Sequence, residues 1–289
     1  MHLLILGGTG FIGEYLTSNL SKREGCHIDI IYYSSLPPEN KPENVNYYKI
    51  DLTRQKEELK EFVNKTEVLV ILTQPNIEII NNIIFAIRSE NSLKKIIYLS
   101  TILLYNDSLE KKDENAKIEP KTEYEKNKFQ EEKKLIELVN RSNFKLCIAR
   151  LSNVYGDIKN KGLVGKIFTA ILKNENIIIN GNGTQVRDYI FIEDAVNLLE
   201  FLIFFDQANK QEIFNICPGE GLGVNQLLKI IEQVIIKKID LNYSPAVYEK
   251  QNIIGDSKKI ITLSNYKFKF NLLNGLEKTY KNYLKTLNR

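Results

Sequence analysis

The first twenty residues constrain the fold of this chain more than any other stretch. An apolar run at 3–6 leads into glycines 7, 10 and 13, and apolar residues then recur at helical spacing over 11–20. This order is typical of a buried strand, a tight turn and a helix. Lacking a side chain, Gly7 permits the turn, Gly10 lets a diphosphate approach the backbone, and Gly13 lets the helix pack closely on the strand.

The same stretch predicts a ligand. The helix that follows the turn directs its unpaired N–H groups and the positive end of its dipole at an anion. We therefore predict that residues 7–13 bind the diphosphate of a dinucleotide. The alternative is an ordinary glycine-rich turn, and the strand-to-helix context favours the dinucleotide.

Composition and charge exclude several other classes of protein. With 289 residues, 43% of them hydrophobic, the chain can bury a large core. The net charge is +4, but basic and acidic residues are interleaved, so nucleic acid is not an expected partner. With His2 and His27 as the only histidines, neither a histidine triad nor a histidine-rich metal site is expected.

Cysteines and apolar runs bear on the compartment. The three cysteines lie far apart, mostly in apolar strand-like runs, which indicates buried thiols. No signal-like segment precedes the first strand, and no apolar run has the length of a membrane span. We therefore expect a cytoplasmic protein without a membrane partner.

Strands and helices alternate through the first half of the chain. Strands are predicted at 27–33, 45–50, 67–73, 94–100 and 145–150, and helices at 54–64, 76–89 and after Thr122. Such alternation predicts an α/β fold, a Rossmann-type doubly wound parallel sheet with helices on both faces. The ligand crevice of such a sheet lies at the carboxyl ends of its strands.

Two strand ends bear on the cofactor. The second strand ends in Tyr32, Tyr33, Ser34 and Ser35, where Rossmann units usually carry an acid that binds the adenosine ribose. The choice between NAD and NADP thus stays open, with NAD preferred. Asp51, after the third strand, is predicted to contact adenine, or alternatively to cap the helix at 54–64.

Catalytic candidates follow the fifth strand. Thr101 emerges at its carboxyl end, and Tyr124 and Lys128 are four residues apart on one face of the next helix. A free phenol has a pKa of about 10, and a nearby ammonium lowers it, so Tyr124 is a candidate for proton transfer. The alternative, a solvated helix face, would be preferred without the glycine turn and Thr101.

The second half has a looser pattern. We predict helices at 166–173, 195–205 and 225–236, strands at 177–180 and 214–217, and Asp194 as the cap of the second of these helices. Glycines 219, 221 and 223 indicate a structural loop. The predicted domains are a Rossmann domain at 1–155, to which about 184–215 returns, and mainly a small C-terminal α/β substrate lobe at 156–289.

Taken together, these motifs resemble those of a known family. Over most of its length the chain is similar to the extended short-chain dehydrogenase/reductases, also called the NAD-dependent epimerase/dehydratase family. The resemblance is carried by Gly7–Gly13, Asp51-Leu52, Ser100-Thr101 with Tyr105, Pro120 with Tyr124, Lys128 and Glu132, the stretch Arg150–Gly156, and Gly181-Asn182-Gly183 with Arg187, Asp188 and Asp194.

The resemblance implies roles for individual residues. Phe11 and Ile12 would join the glycines in the cofactor turn, and Leu52 would join Asp51 at the adenine. Lys128 would also hold the nicotinamide ribose, and Asn153 would meet the sugar nucleotide. Arg187 would hold the substrate diphosphate, with a buried ion pair as its alternative. No arginine lies between Arg187 and Arg289, so Lys250 is the expected stand-in for the family's second arginine.

The resemblance also implies an activity. It indicates a nucleotide-sugar oxidoreductase that transfers hydride at sugar C4, as a 4-ketoreductase or a 4-epimerase. A 4,6-dehydratase usually carries Asp-Glu after the catalytic Thr, where this chain has Ile102-Leu103. A non-catalytic dinucleotide-binding regulatory protein is the alternative from another class. A homodimer through helix 76–89 and the Tyr124 helix is expected, unless their apolar faces cover the protein's own sheet.

Overall fold

The computed structural model describes residues 1–87, 91–246 and 248–287. The chain forms two compact units. The first comprises Met1–Leu104, Lys121–Arg150 and Val196–Phe214, and the second Tyr105–Pro120, Leu151–Ala195 and Asn215–Arg289.

In chain order the elements are β1 (His2–Leu6), α1 (Phe11–Leu20), β2 (His27–Tyr32), β3 (Val45–Lys49), α2 (Lys56–Lys65), β4 (Val68–Ile71), α3 (Ile77–Ala86), β5 (Lys95–Thr101), a 3₁₀ turn (Ile102–Leu104), α4 (Glu123–Asn140), β6 (Lys145–Leu151), β7 (Asn153–Tyr155), α5 (Leu163–Lys173), β8 (Ile177–Asn180), β9 (Val186–Phe191), α6 (Ile192–Phe204), β10 (Gln211–Ile216), β11 (Gly221–Gly223), α7 (Val224–Ile235), β12 (Leu241–Ser244), β13 (Asn252–Ile253), α8 (Lys258–Ser264) and α9 (Leu272–Leu287).

The first unit is built on a seven-stranded sheet. Its strand order is β10-β6-β5-β4-β1-β2-β3, and β1 pairs in parallel with both β2 and β4. The pairs β2–β3 and β4–β5 are parallel as well. Residues 3–6 of β1 are fully buried, as expected of a strand covered on both faces. The predicted Rossmann-type α/β fold is thus confirmed.

Two helices of this unit bury their apolar stripes against the unit's own core. Ile80 and Ile83 of α3 and Leu135 and Val139 of α4 belong to one cluster with the buried residues of β1, β4, β5 and β6. This packing accounts for much of their apolar excess without a second subunit. The prediction that the first of these helices reaches Ser89 falls outside the described residues, and α3 ends at Ala86.

The second unit contains a smaller sheet. Strand β9 lies between β11 and β13, and β7 also pairs with β9, while β8 and β12 form a separate parallel pair. The glycines at 221 and 223 lie in β11, antiparallel to β9. The prediction of a loop was wrong for these two residues, because pairing with β9 gives this short segment its strand conformation.

Two aspartates considered as helix caps do not cap a helix: Asp194, which was predicted to do so, and Asp51, for which a cap was the alternative to an adenine contact. Helix α6 begins at Ile192, so Asp194 lies in its first turn, where its carboxylate accepts hydrogen bonds from Tyr266 Oη (2.7 Å) and Lys269 N (2.9 Å). Asp51 is not the cap of α2, since its carboxylate accepts from Thr53 N (2.9 Å) and Thr53 Oγ1 (2.6 Å). In both cases other donors engage the carboxylate.

The cysteines and helix lengths agree with the composition. Cys26, Cys147 and Cys217 are buried, as predicted. Within the described residues, every helix is too short or too polar to cross a bilayer.

Candidate functional site

The glycine turn between β1 and α1 is tightly closed. Gly7 has φ +81°, in the left-handed region that favours glycine, and its carbonyl accepts from Gly10 N at 3.0 Å. A Cβ on Gly13 would lie 2.6 Å from Gly8 Cα and 2.7 Å from Gly7 O. Since both neighbours are backbone atoms, α1 packs against the turn at a distance that only glycine permits.

This turn fits the diphosphate of a dinucleotide. Gly10 caps α1 without any side-chain hydrogen bond, so no side chain of the cap occupies the first-turn N–H groups. Phe11 and Ile12 are the first residues of α1. Backbone donors and a helix dipole at the carboxyl end of β1 suit an anion, and diphosphate binding by residues 7–13 stays a prediction.

Three residues near the ends of β2 and β3 bear on the adenosine half of the cofactor: Tyr33, Asp29 and Asp51. Tyr33 is 61% exposed, directly after β2. Asp29, inside β2, is buried and accepts from Asn46 Nδ2 (3.1 Å) and pairs with Lys65 Nζ (3.0 Å). Asp51 and Leu52 follow β3, and Leu52 O accepts from Asn82 Nδ2 at 2.8 Å. The role of Asp51 and Leu52 at adenine stays a prediction.

Thr101 and Tyr124 stand at the ends of their elements. Thr101 is the last residue of β5 and is buried, with Oγ1 accepting from Leu103 N at 3.2 Å. Tyr124 is in the first turn of α4, which Thr122 caps by accepting from Glu125 N, and its side chain is 41% exposed. The cap fixes where α4 begins and so where Tyr124 is presented.

Lys128 is buried one helical turn after Tyr124. Its Nζ donates to Leu99 O (2.8 Å) and Thr73 O (3.4 Å), and lies 4.7 Å from the centre of the Tyr98 ring. These contacts attach α4 to β5 and to the segment after β4. The structure thus brings Lys128 to the carboxyl ends of two adjacent strands, the edge at which Thr101 lies.

A buried carboxylate beside Lys128 was missed by the sequence reasoning. Glu131 Oε2 lies 3.8 Å from Lys128 Nζ and accepts a hydrogen bond from the hydroxyl of Tyr98. Its other oxygen accepts from Asn76 N at 2.6 Å. The available signal was a glutamate three residues after the lysine on the same helix face. Glu132, noted from the sequence, pairs instead with Arg150.

The charges around Lys128 act in opposite directions. Burial lowers the pKa of Lys128 to about 8, while the carboxylates of Glu131 and Glu132 favour its charged form. Although Tyr124 is 41% exposed, partial removal of its side chain from water, and then the negative charge of Glu131, raise the pKa of Tyr124 above its ordinary value. The sequence predicted a lowered pKa for Tyr124. That prediction was wrong for the chain by itself, because burial and Glu131 both disfavour the phenolate.

The predicted substrate residues lie in the second unit. Asn153 is in β7, opposite Tyr189 of β9. Arg187 of β9 is buried, and its Nη2 donates to Glu249 Oε2 at 2.7 Å. Lys250 is also buried and donates to Tyr105 O at 2.7 Å. The ion pair predicted as the alternative for Arg187 is therefore present, and binding of a diphosphate by Arg187 and Lys250 stays a prediction.

Comparison with protein families identifies the relatives of this chain. The sequence model of the NAD dependent epimerase/dehydratase family matches residues 3–217. Among individual proteins, the Escherichia coli dTDP-4-dehydro-6-deoxyglucose reductase is 27% identical over 309 residues, covering 96% of each chain.

Solved structures share the fold. The UDP-glucuronic acid 4-epimerase of Bacillus cereus, crystallised with UDP-glucuronic acid and NAD, is 21% identical with a TM-score of 0.89, covering 99% of this chain and 100% of that one. The UDP-glucose 4-epimerase of Thermotoga maritima, crystallised with UDP-glucose, is 24% identical with a TM-score of 0.86 and the same coverage.

Proposed function

Since the chain belongs to the NAD dependent epimerase/dehydratase family, we propose that it transfers hydride at C4 of a nucleotide sugar, as a 4-ketoreductase or a 4-epimerase. The family is NAD dependent, which confirms the prediction that the cofactor is NAD. The observation that carries the proposal is the arrangement of Tyr124, Lys128 and Thr101 on α4 and β5, in the unit that also holds the glycine turn.

Each residue has a proposed task. NAD, when bound, supplies the hydride donor or acceptor at its nicotinamide ring. The turn at 7–13 and the first turn of α1 hold the diphosphate, and Asp51 accepts the adenine amino group. Tyr124 exchanges a proton with the sugar oxygen at C4, Thr101 donates a hydrogen bond to that oxygen, and Lys128 supplies the adjacent positive charge and holds the nicotinamide ribose.

The protonation state of Tyr124 favours reduction as the first direction to test. A phenol with an ordinary pKa of about 10 is already protonated at neutral pH, and burial and Glu131 raise the pKa of Tyr124 further in that direction. When a C4 ketone is reduced, the carbon gains hydride and the oxygen gains a proton, and the protonated phenol supplies that proton. The curated relatives support both directions equally: the Escherichia coli reductase is 27% identical over 96% of both chains, and a putative UDP-glucose 4-epimerase of Methanocaldococcus jannaschii is 27% identical over 99% of both chains.

The substrate grip is proposed for the second unit. Asn153 and Arg187 bind the nucleotide half, with Arg187 exchanging its contact with Glu249 for the diphosphate, and Lys250 adds positive charge. A dehydratase is disfavoured because Ile102 and Leu103, which begin the 3₁₀ turn directly after Thr101 where dehydratases carry Asp-Glu, are apolar. A dimer through α3 and α4 is also proposed, and light scattering after gel filtration tests it.

The test is turnover with and without added cofactor. Purified protein is incubated with UDP-glucose, UDP-N-acetylglucosamine, UDP-glucuronic acid and a dTDP-4-keto-6-deoxy sugar, while reduced cofactor is followed by absorbance. A reductase consumes added NADH or NADPH in proportion to product, whereas an epimerase interconverts two sugars on cofactor it retains.

Tyr124→Phe separates an enzyme from a binding protein. It removes the proton donor and keeps the ring, so we expect at least a 100-fold loss of turnover with unchanged NADH affinity. Phe129→Tyr, on the same helix, is the control: it exchanges the same two side chains at a position outside the proposed mechanism and should leave turnover unchanged. Turnover unchanged in Tyr124→Phe contradicts the role of Tyr124, and cofactor binding without turnover in the wild type indicates a regulatory protein.

A further inference from the structure

Two adjacent glutamates of α4 are directed into the first unit. Glu131 and Glu132 are each 1% exposed. Burying a carboxylate costs several kcal/mol unless hydrogen bonds and an opposite charge compensate for lost water. Glu132 is compensated by Arg150, which donates to both of its oxygens. Glu131 is compensated by two neutral hydrogen-bond donors and by the ammonium of Lys128, 3.8 Å away.

The carboxylate of Glu131 is fixed by three elements. Its Oε2 accepts from the hydroxyl of Tyr98 in β5, and its Oε1 accepts from the backbone of Asn76, which caps α3. Glu131 itself belongs to α4. Because a donor from the sheet and one from a second helix hold the two oxygens, the carboxylate has little freedom to move relative to β5.

The ammonium of Lys128 depends on this carboxylate for charge compensation. Leu99 O and Thr73 O accept its hydrogen bonds but are neutral, whereas Glu131 Oε2 lies within ion-pair distance at 3.8 Å. The titratable and charged groups around it are Glu131, Glu132 and Tyr124 from α4 itself, Tyr98 from β5 and Arg150 from β6. The contact contributed by the segment after β4, Thr73 O, is an uncharged backbone group.

We propose that Glu131 is a positioning residue of the candidate active site: its carboxylate, held by Tyr98 and Asn76, keeps the Lys128 ammonium charged and seated at the ends of β4 and β5. This inference rests on the proposed function, in which Lys128 supplies positive charge next to the proton transfer by Tyr124. Glu131 has no contact with the reacting atoms in the mechanism: it holds Lys128, and its negative charge also raises the pKa of Tyr124.

The proposal has a directional consequence for pH dependence. Burial lowers the pKa of Lys128 to about 8, and Glu131 opposes that effect. Replacing Glu131 by glutamine removes its negative charge and keeps the shape, so Lys128 loses its proton at a lower pH. The basic limb of kcat/KM therefore moves down by about one pH unit, because Lys128 becomes neutral at a lower pH and because the phenol of Tyr124, without the Glu131 charge that raises its pKa, also ionises at a lower pH.

The test measures the protonation of Lys128 directly. Lysine labelled at Cε is incorporated, the Lys128 signal is assigned with Lys128→Arg, and its midpoint is followed by NMR without cofactor. We expect a midpoint near pH 8 in the wild type and one about one pH unit lower in Glu131→Gln. Glu137→Gln, an exposed glutamate of the same helix, is the matched control and should leave the midpoint unchanged.

A second variant covers a failure of Glu131→Gln to fold. Glu131→Asp keeps the charge but withdraws it from Lys128 by one methylene, so its midpoint should lie between those expected for the wild type and for Glu131→Gln. The same variants are assayed for kcat/KM against pH. Partial recovery of the basic limb in Glu131→Asp supports a positioning role, because a purely structural role would change activity without moving the limb.

Two results overturn the proposal. The first is a Lys128 midpoint that is equal in the wild type and in Glu131→Gln, or in Glu131→Asp where Glu131→Gln does not fold. The second is a Lys128 midpoint that moves while the basic limb of kcat/KM does not. Failure of the proposed function has a different signature. In that case Tyr124→Phe turns over like the wild type, or the wild type turns over no substrate, while the NMR midpoints still report the ion pair.

Discussion

Removing the guanidinium of Arg150, which pairs with Glu132 of α4, should destabilise the protein far more than removing the cation of an exposed ion pair on α4. Arg150 Nε and Nη2 donate to Glu132 Oε1 (3.0 Å) and Oε2 (2.6 Å), and the two side chains are 3% and 1% exposed. The pair joins β6 to α4, the helix that carries Tyr124 and Lys128. Arg150→Met keeps apolar volume and leaves the Glu132 carboxylate buried without its cation.

The expected loss follows from that uncompensated charge. Breaking a buried pair by removing one partner costs about 3–5 kcal/mol, out of a total stability of about 5–15 kcal/mol. The double variant Arg150→Met/Glu132→Leu removes both charges and should lie within about 2 kcal/mol of the wild type. Lys126→Met is the control. It breaks the exposed Lys126–Glu123 pair of α4 (3.0 Å) and should cost at most about 0.5 kcal/mol.

Urea unfolding followed by circular dichroism measures these differences in the free energy of unfolding. The m-values are compared as well, because a changed m-value indicates a change in the surface exposed on unfolding. A loss below about 1 kcal/mol, or a double variant no more stable than the single one, would refute the reasoning.

Two further predictions concern other parts of the chain. Gly13→Ala places a Cβ against the backbone of Gly7 and Gly8. We therefore expect the free energy of unfolding, measured in urea, to fall by about 1–3 kcal/mol, and NADH binding, measured by fluorescence, to weaken at least 10-fold. Ser18→Ala, exposed on the same helix, is the control, and an NADH affinity of Gly13→Ala equal to that of the wild type would contradict the packing argument. Burial raises the pKa of Asp188 from 3.8 to about 7, so its contribution to stability is full below pH 3.8 and is lost as pH rises through about 7. The free energy of unfolding of Asp188→Asn, measured in urea, should therefore rise relative to that of the wild type by up to about 1.4 kcal/mol per pH unit between about pH 5 and 7. A difference between the two proteins that does not change with pH would show that Asp188 does not titrate there.

Local patterns in the sequence determined the dinucleotide-binding half of the fold. The glycine turn, the alternation of apolar strands with amphipathic helices, and the four-residue spacing of Tyr124 and Lys128 each lie within a short window. Such windows fix backbone conformation and helix face, because the periods of strands and helices are local properties. The sheet order around β1 then follows from the short connections of a doubly wound fold.

The partners of buried polar groups were decided only by the tertiary structure. Tyr98 and Glu131 are 33 residues apart, and Arg187 and Glu249 are 62 apart. Asp194 likewise binds donors near residue 270 and does not cap its helix. No sequence period relates such residues, since each pairing exists because folding removes both groups from water and each then requires a hydrogen bond or an opposite charge. The sequence therefore predicted which side chains carry the proposed chemistry, and the fold decided which charges surround them.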